Sequence, residues 1–424
     1  MHMTTGEVIR RIRKSLGMTQ SELGTILGYT QPVISQLEHD GAAIHDVRVL
    51  RRIAKALHVP LAILVVESDE EADVKRREFF RTGALGAGSL AAAAAGASSP
   101  SPISTTASTI KVGATDVAAI ADSVNQIHDL DLVIGGDRLR GVAAGQVRYA
   151  QHLLNAGSYS DNVGRDLASA TAEIMTAAGW VHYDSGYPDY AGRYYAEAAQ
   201  TATAADNGIA AAHALGNASH LMVNRFGSNT TGDQLAVQYA QAASRAALPR
   251  GGPKLRALMA LREAEANGAR GDAGDTINAI SRAFRAYDSE RGYDPDWVYL
   301  PEAEISGVSG KAHMRLGDHV AATHHLENAI RSSAAWPRER ASWQLHLAHN
   351  LIQSGDAARA CSLLTQTHRD PGGAPGRAGS SAFSTIRELA SARLQHRLND
   401  IATSARPYAK VPEVREFLGL MANH

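Results

Sequence analysis

The chain has 424 residues, 44% hydrophobic and 20% charged, with a formal net charge of −1. That balance suits a soluble globular protein of two or three domains, and its near-zero charge removes any argument from global basicity, so charge has to be read by region. A single cysteine, Cys361, excludes an intrachain disulfide and fits a reducing, cytoplasmic compartment with a buried, inert thiol. No run of 18 strongly apolar residues marks a membrane span, and the chain starts on a polar helix rather than a signal peptide.

In chain order, the apolar spacing predicts a first helix over Thr5–Leu16, with Val8, Ile9, Ile12 and Leu16 inward. Arg10, Arg13 and Lys14 cluster on another face, where they can sit on phosphates. Residues 19–38, TQSELGTILGYTQPVISQLE, specify two short helices. Thr19 and Thr30 are hydroxyl N-caps, Gly28 stands where the first helix must end, and Gly24 is the small residue that lets the pair cross closely. Leu23, Leu27, Tyr29, Ile34 and Leu37 form the apolar seam. Outside that seam the second helix carries Gln31, Pro32, Ser35 and Gln36. A glutamine amide both donates to and accepts from an adenine edge, and the first turn of such a helix is the part that reaches bases in the major groove.

These residues resemble the Cro/C1-type (XRE family) helix-turn-helix, the fold of lambdoid phage repressors, over roughly Thr5–Val66. The resemblance implies that Gln31, Pro32, Ser35 and Gln36 face bases of double-stranded DNA, that Gln20 bonds a backbone phosphate alongside Arg10, Arg13 and Lys14, and that a homodimer reads palindromic half-sites. Pro32 departs from the family's usual polar residue and, lacking an N–H, offers only a thymine-methyl or sugar contact. Residues 1–66 hold eight Lys/Arg against five acids, a net +3, which suits two weakly binding copies better than one.

A fourth helix is predicted over His45–His58, burying Leu50, Ile53 and Leu57. Its Arg48, Arg51, Arg52 and Lys55 mostly form a solvated face, with one or two on DNA. A short helix over Pro60–Val66 closes this first domain, residues 1–67. Residues 68–113 read as a helical tail running into an Ala/Gly/Ser-rich linker with an r.m.s. span of about 30 Å, too soft to act as a lever. The twin-arginine-like stretch at 75–97 lies too far into the chain for an export signal.

Residues 114–424 show almost no strand signal and many alanine-rich helices broken at Gly186, Gly227, Gly271, Gly317 and Gly355, spaced 38 to 46 residues apart. The segments 179–198, 311–329 and 347–364 each read helix, glycine turn, helix. They resemble degenerate tetratricopeptide repeats, which implies a TPR-like α-solenoid and an all-α chain. Two predicted first helices carry polar stripes: Ile209–Gly227 with His213, Asn217, His220 and Asn224, and Arg338–Ser354 with Trp343, His346, Asn350 and Gln353. The stripes either clamp a peptide or small-molecule ligand in the groove or satisfy one another between stacked helices. Tyr183, Tyr187, Tyr190, Tyr194 and Tyr195 read as inter-helix packing with hydroxyl tips outward.

There is no G-x-x-x-x-G-K-[ST], H-E-x-x-H or C-x-x-C motif, and nothing near His346 and His349 completes a zinc set, so neither an enzyme, a cofactor nor a metal is expected. The layout resembles that of the peptide-pheromone regulators (RRNPP group) and related actinobacterial regulators. It implies a sequence-specific transcriptional regulator in which the repeat domain dimerises and senses a ligand. The alternative is an interaction scaffold whose repeat domain binds a protein while the first domain reads no DNA. The small +3 charge and Pro32 favour that alternative.

Overall fold

The computed structural model describes residues 3–41, 46–64, 110–224, 230–289, 292–295, 297–298, 300–367, 380–389 and 391–423. The predicted linker, the twin-arginine-like segment and the turn at Gly227 lie outside these residues apart from 110–113. The chain divides into two units, residues 4–110 and residues 1–3 with 111–424.

The N-terminal unit holds α1 (Thr5–Ser15), α2 (Gln20–Leu27), α3 (Gln31–Glu38), α4 (Val47–Ala56) and a 3₁₀ turn at Leu61–Ile63, where the sequence predicted a longer helix. Thr4 with Glu7 and Thr19 with Glu22 form reciprocal capping boxes that start α1 and α2. Thr30, expected to cap α3 in the same way, makes no side-chain cap bond; Pro32 near the helix start already removes one donor that would need a partner. Gly28 ends α2 at φ +70°, the left-handed conformation that favours glycine. A Cβ on Gly24 would stand 2.6 Å from the carbonyl oxygen of Tyr29, so only glycine permits this crossing. Val8, Ile9, Ile12, Leu23, Leu27, Ile34, Leu37, Ile53 and Leu57 form the core, but Leu16, predicted inward, is 49% exposed because α1 ends one residue before it.

From residue 110 onward the regular elements among the described residues are helices except for the two-residue strands Ile110–Lys111 and Gly157–Ser158. After α5 (Ala114–Ile134) and α6 (Arg140–Ala156), five helix pairs follow: α7 (Asp161–Asp184) with α8 (Pro188–Ala204), α9 (Gly208–Asn224) with α10 (Thr230–Ala247), α11 (Pro253–Arg270) with α12 (Ala273–Tyr287), α13 (Glu302–Arg315) with α14 (His319–Ser332), and α15 (Pro337–Gln353) with α16 (Ala357–Thr365). Three turns share one device. Gly271, Gly317 and Gly355 end a helix at positive φ, and the next residue, Asp272, Asp318 or Asp356, accepts from a backbone N–H of the following helix.

The first helices of successive pairs pack on one another, forming an inner row α7, α9, α11, α13, α15. After α17 (Ala382–Glu388), α18 (Ala392–Ala405) continues this row against α15 and also touches α7, while α19 (Pro412–Ala422) packs on α16. The row therefore closes on itself. Glycine again sets the spacing: a Cβ on Gly307 would stand 2.5 Å from the Trp343 ring, and one on Gly179 equally close to Tyr195.

Candidate functional site

On α3, burial of Ile34, Leu37 and Glu38 turns the opposite face outward, so Gln31, Pro32 and Gln36 are exposed and Ser35 is half-buried. The Gln31 amide is held in place. Its Nε2 donates to Gln20 Oε1 at 2.5 Å, and Gln20 Nε2 donates to Glu38 Oε2 at 2.8 Å. Glu38 is 2% exposed and binds Arg13 through two bonds, Nε–Oε1 at 2.5 Å and Nη2–Oε2 at 3.0 Å. Burial pushes the Glu38 carboxyl up, but the hydrogen bonds from Arg13 and Gln20 and the charges of Arg13 and Arg10 outweigh it and hold the group below its ordinary value.

Arg13 therefore does not sit on the phosphate-facing surface where the sequence put it. It is 6% exposed, and its remaining Nη1 donates to the Met18 carbonyl, so the guanidinium is spent inside the unit. Gln20 keeps one amide hydrogen for an outside partner. Arg10 and Lys14 are exposed on α1, as are Arg48, Arg51 and Lys55 on α4. Arg52 is diverted: it donates to Tyr29 Oη at 3.1 Å and to the Leu27 carbonyl, and it lies 5.0 Å from the Tyr29 ring centre. In the sequence Glu38 looks like one more charged surface residue. Its position four residues after Ile34, on the seam face, was the available signal.

In the second unit the polar stripe of α9 faces the inner row, but most of it is already bonded. His213 binds Glu173 Oε2 at 2.6 Å and stacks on Trp297, ring centres 3.7 Å apart. His220 meets Glu265 at 3.0 Å and Arg262 at 3.1 Å, and Asn224 donates to Glu265 at 3.3 Å while accepting from Arg315 at 3.1 Å. Burial first, and then the Arg262 and Lys311 cations against the pull of Glu265, push His220 down to about 3, so it is neutral. Asn217 alone of the stripe is half-buried with no side-chain bond to another described residue.

Two members of the α15 stripe are taken up between helices. Trp343 is 6% exposed and packs against Gly307, and Asn350 is fully buried, bonding His319 and Thr323 of α14. Both hold helices together, because this face of α15 is covered by the preceding pair. His346 is also buried, at 4% exposed, and accepts from Arg397 of α18 at 2.8 Å. Of the tyrosines, Tyr195 is only 1% exposed, hydroxyl included, against the expectation of an outward tip, whereas Tyr187 is exposed.

The sequence also gave no sign of the ionic clasp at the closure of the inner row. Arg338 reaches Asp131 Oδ2 at 3.5 Å and Asp184 Oδ2 at 3.3 Å, and Asp184 also accepts from Arg393 Nε at 3.1 Å and Ser391 Oγ at 2.9 Å. Burial raises Asp131. Asp184 stays below its usual value because the Arg338 and Arg393 charges outweigh its burial. Cys361 is buried, and desolvation pushes its thiol up to about 11. Among the described residues no group of three or more His, Cys, Asp or Glu is placed to hold a metal, and no helix is long and apolar enough to cross a membrane.

A helix-turn-helix family model matches residues 9–64. Comparison of the sequence with curated proteins gives no match. Among solved structures, the chain is similar to PlcR of Bacillus thuringiensis, solved with the peptide PapR7 and DNA, at 10% identity and a TM-score of 0.34, over 78% of this chain and 94% of that one. It is also similar to a Rap protein complexed with competence and sporulation factor, at 11% identity and a TM-score of 0.38, over 72% of this chain and 97% of that one.

Proposed function

We propose, taking the helix-turn-helix match over residues 9–64 as the premise, that this chain is a sequence-specific DNA-binding transcriptional regulator. It acts as a homodimer on palindromic sites, and its repeat unit senses a ligand. The observation that carries the reading is the outward side of α3, where Gln31 is pre-set by the Gln20–Glu38–Arg13 chain and Gln36 is exposed five residues further on. An amide whose rotamer is already fixed loses little entropy on meeting a base edge, so the relay turns a flexible side chain into a reader.

In this reading Gln31 and Gln36 read bases, Pro32 and Ser35 pack beside them, and Gln20, Arg10 and Lys14 hold phosphates. Arg13 is a positioning residue. Asn217 is the member of the α9 stripe still open to a ligand. The test is a mobility-shift assay on a site selected from random duplexes. Gln31→Ala and Gln36→Ala should each lose discrimination of roughly 1–3 kcal/mol at their own base position. Arg10→Gln should weaken binding to all sequences alike and flatten the salt dependence. Parent-like discrimination in both glutamine variants would remove base readout by α3.

A further inference from the structure

The cations on the inner row of the repeat unit are unevenly paired. The Asp131–Asp184 clasp accounts for Arg338 and Arg393. Among the described residues, the carboxylate contacted by any of Arg262, Lys311, Arg315 and Arg397 on the same row is Glu265, which takes Lys311 and Arg262. Glu304, within electrostatic reach of Arg262 and Lys311, and Glu339 on α15 both have their carboxyls raised by burial, which favours their neutral forms.

Two of these arginines meet no carboxylate among the described residues. Arg397 makes no ion pair among the described residues, and its bond is to the neutral acceptor His346. Arg315 donates one Nη2 bond to the uncharged Asn224, and its Nε is buried with no partner. Arg262 Nε is orphaned in the same way, in a residue only 7% exposed. Burial, together with the neighbouring Arg393 and Arg315 charges, pushes Arg397 down to about 10, and His349 on α15 is depressed by burial and by both Arg397 and Arg315. Buried guanidinium groups with unused N–H donors cost free energy unless an anion meets them.

We propose that Arg397 and Arg315, supported by Arg262 and His346, form a binding site for an oxyanion, the carboxylate or phosphate group of a ligand taken into the inner row of the repeat unit. Guanidinium forks match the planar oxygen pair of either group, and partial removal of these side chains from water strengthens that attraction. The inference deepens the sensing part of the proposed function by naming the ligand's chemistry, and it rests on that reading only for any effect on DNA. Because α18 carries Arg397 and closes the row on α7, an anion held there would tie the closing helix to α13.

The test is thermal unfolding of the full chain followed by tryptophan fluorescence, titrated with inorganic phosphate and with succinate against chloride at matched ionic strength. All four tryptophans lie in the repeat unit, so the signal reports that unit. The parent should show a saturable, single-site rise in Tm with at least one probe, and which probe works assigns phosphate or carboxylate. R397Q and R315Q should weaken that response at least ten-fold, with the exposed R359Q responding like the parent. Without any probe, R397Q should melt at the same or a higher temperature, because it removes a half-buried cation that has no carboxylate partner. No saturable response to either probe, an undiminished response in R397Q, or a lower melting temperature for R397Q would each overturn the site. Operator binding by the parent in the same buffer separates this failure from failure of the regulator reading, since it does not need the anion.

Discussion

In the N-terminal unit one buried carboxylate, Glu38, meets one arginine, and both serve a glutamine on the surface. In the repeat unit Glu265 meets Lys311, Arg262, His220 and Asn224, from three different helices, and serves the interior itself. The smaller unit uses its buried charge to hold an outward-facing group in a fixed pose. The larger one uses buried charge to hold helices in register, and so has polar interior surface that a ligand can compete for. A helix-turn-helix works by presenting side chains, whereas a closed row of helices works by enclosing them.

That contrast is tested most severely at Glu265. Glu265→Gln leaves Lys311 and Arg262 buried without their carboxylate, and it should destabilise the repeat unit by about 3–5 kcal/mol in denaturant unfolding followed by tryptophan fluorescence. A loss under about 1 kcal/mol would mean that these charges are solvated and that the interior is not closed. Glu38→Ala should cost the N-terminal unit a similar or slightly smaller amount, about 3 kcal/mol, since one arginine rather than two cations is stranded. Hydrogen exchange should quicken across residues 9–64 while the tryptophan-detected transition stays where it is. Operator discrimination should fall even where the unit remains folded, because Gln20 and Gln31 lose their anchor.

The two units should also part company on acidification. His220 is pushed down to about 3 and His128 to about 4, in each case chiefly by burial, from an ordinary value of 6.5. Below pH 6.5 the unfolded chain takes up protons at these positions that the folded chain refuses, so the repeat unit loses stability as pH falls, by roughly 2 kcal/mol per histidine at pH 5. Glu38 is shifted the other way for an acid. Its contribution is intact above the ordinary glutamate range near pH 4.3 and disappears only as pH falls through its lowered folded value. Between pH 6.5 and 5 the tryptophan transition should therefore weaken while protection in α1–α3 holds. Equal loss in both units over that range would break the distinction.

How much of each unit was legible in the sequence follows the same division. Threonines at helix starts, a glycine at a crossing and apolar spacing are local, and they placed α1, α2 and α3 to within a residue, together with the outward position of Gln31 and Gln36. The glycine and aspartate turns of the repeats are equally local, and Gly186, Gly271, Gly317 and Gly355 all have positive φ. Asp206, with φ 53°, makes a similar turn without glycine and so gave no signal. What could not be read were pairings between residues distant in the chain. Asp184 with Arg393, Glu265 with Lys311 and Arg13 with Glu38 each look, one helix at a time, like a solvated face. Periodicity leaves the α15 stripe open between a ligand clamp and bonding between stacked helices for the same reason, because it gives a face of the helix but not which neighbour covers it.

The smallest expected effect isolates the local rules. Thr19 and Thr30 have the same chemistry, each preceding a helix of eight residues, yet only Thr19 accepts from the third backbone N–H and receives the returning carboxylate of Glu22. Thr19→Ala should cost about 1 kcal/mol, the ordinary loss of an N-cap, read as faster hydrogen exchange in α2. Thr30→Ala should cost no more than a few tenths, because there is no side-chain bond to lose and proline has already removed a donor from the first turn. If instead both substitutions cost the same, then Thr30 does cap α3 in solution, the first turn of that helix is held more tightly than its geometry indicates, and the fixed pose of Gln31 depends on Thr30 as well as on Glu38.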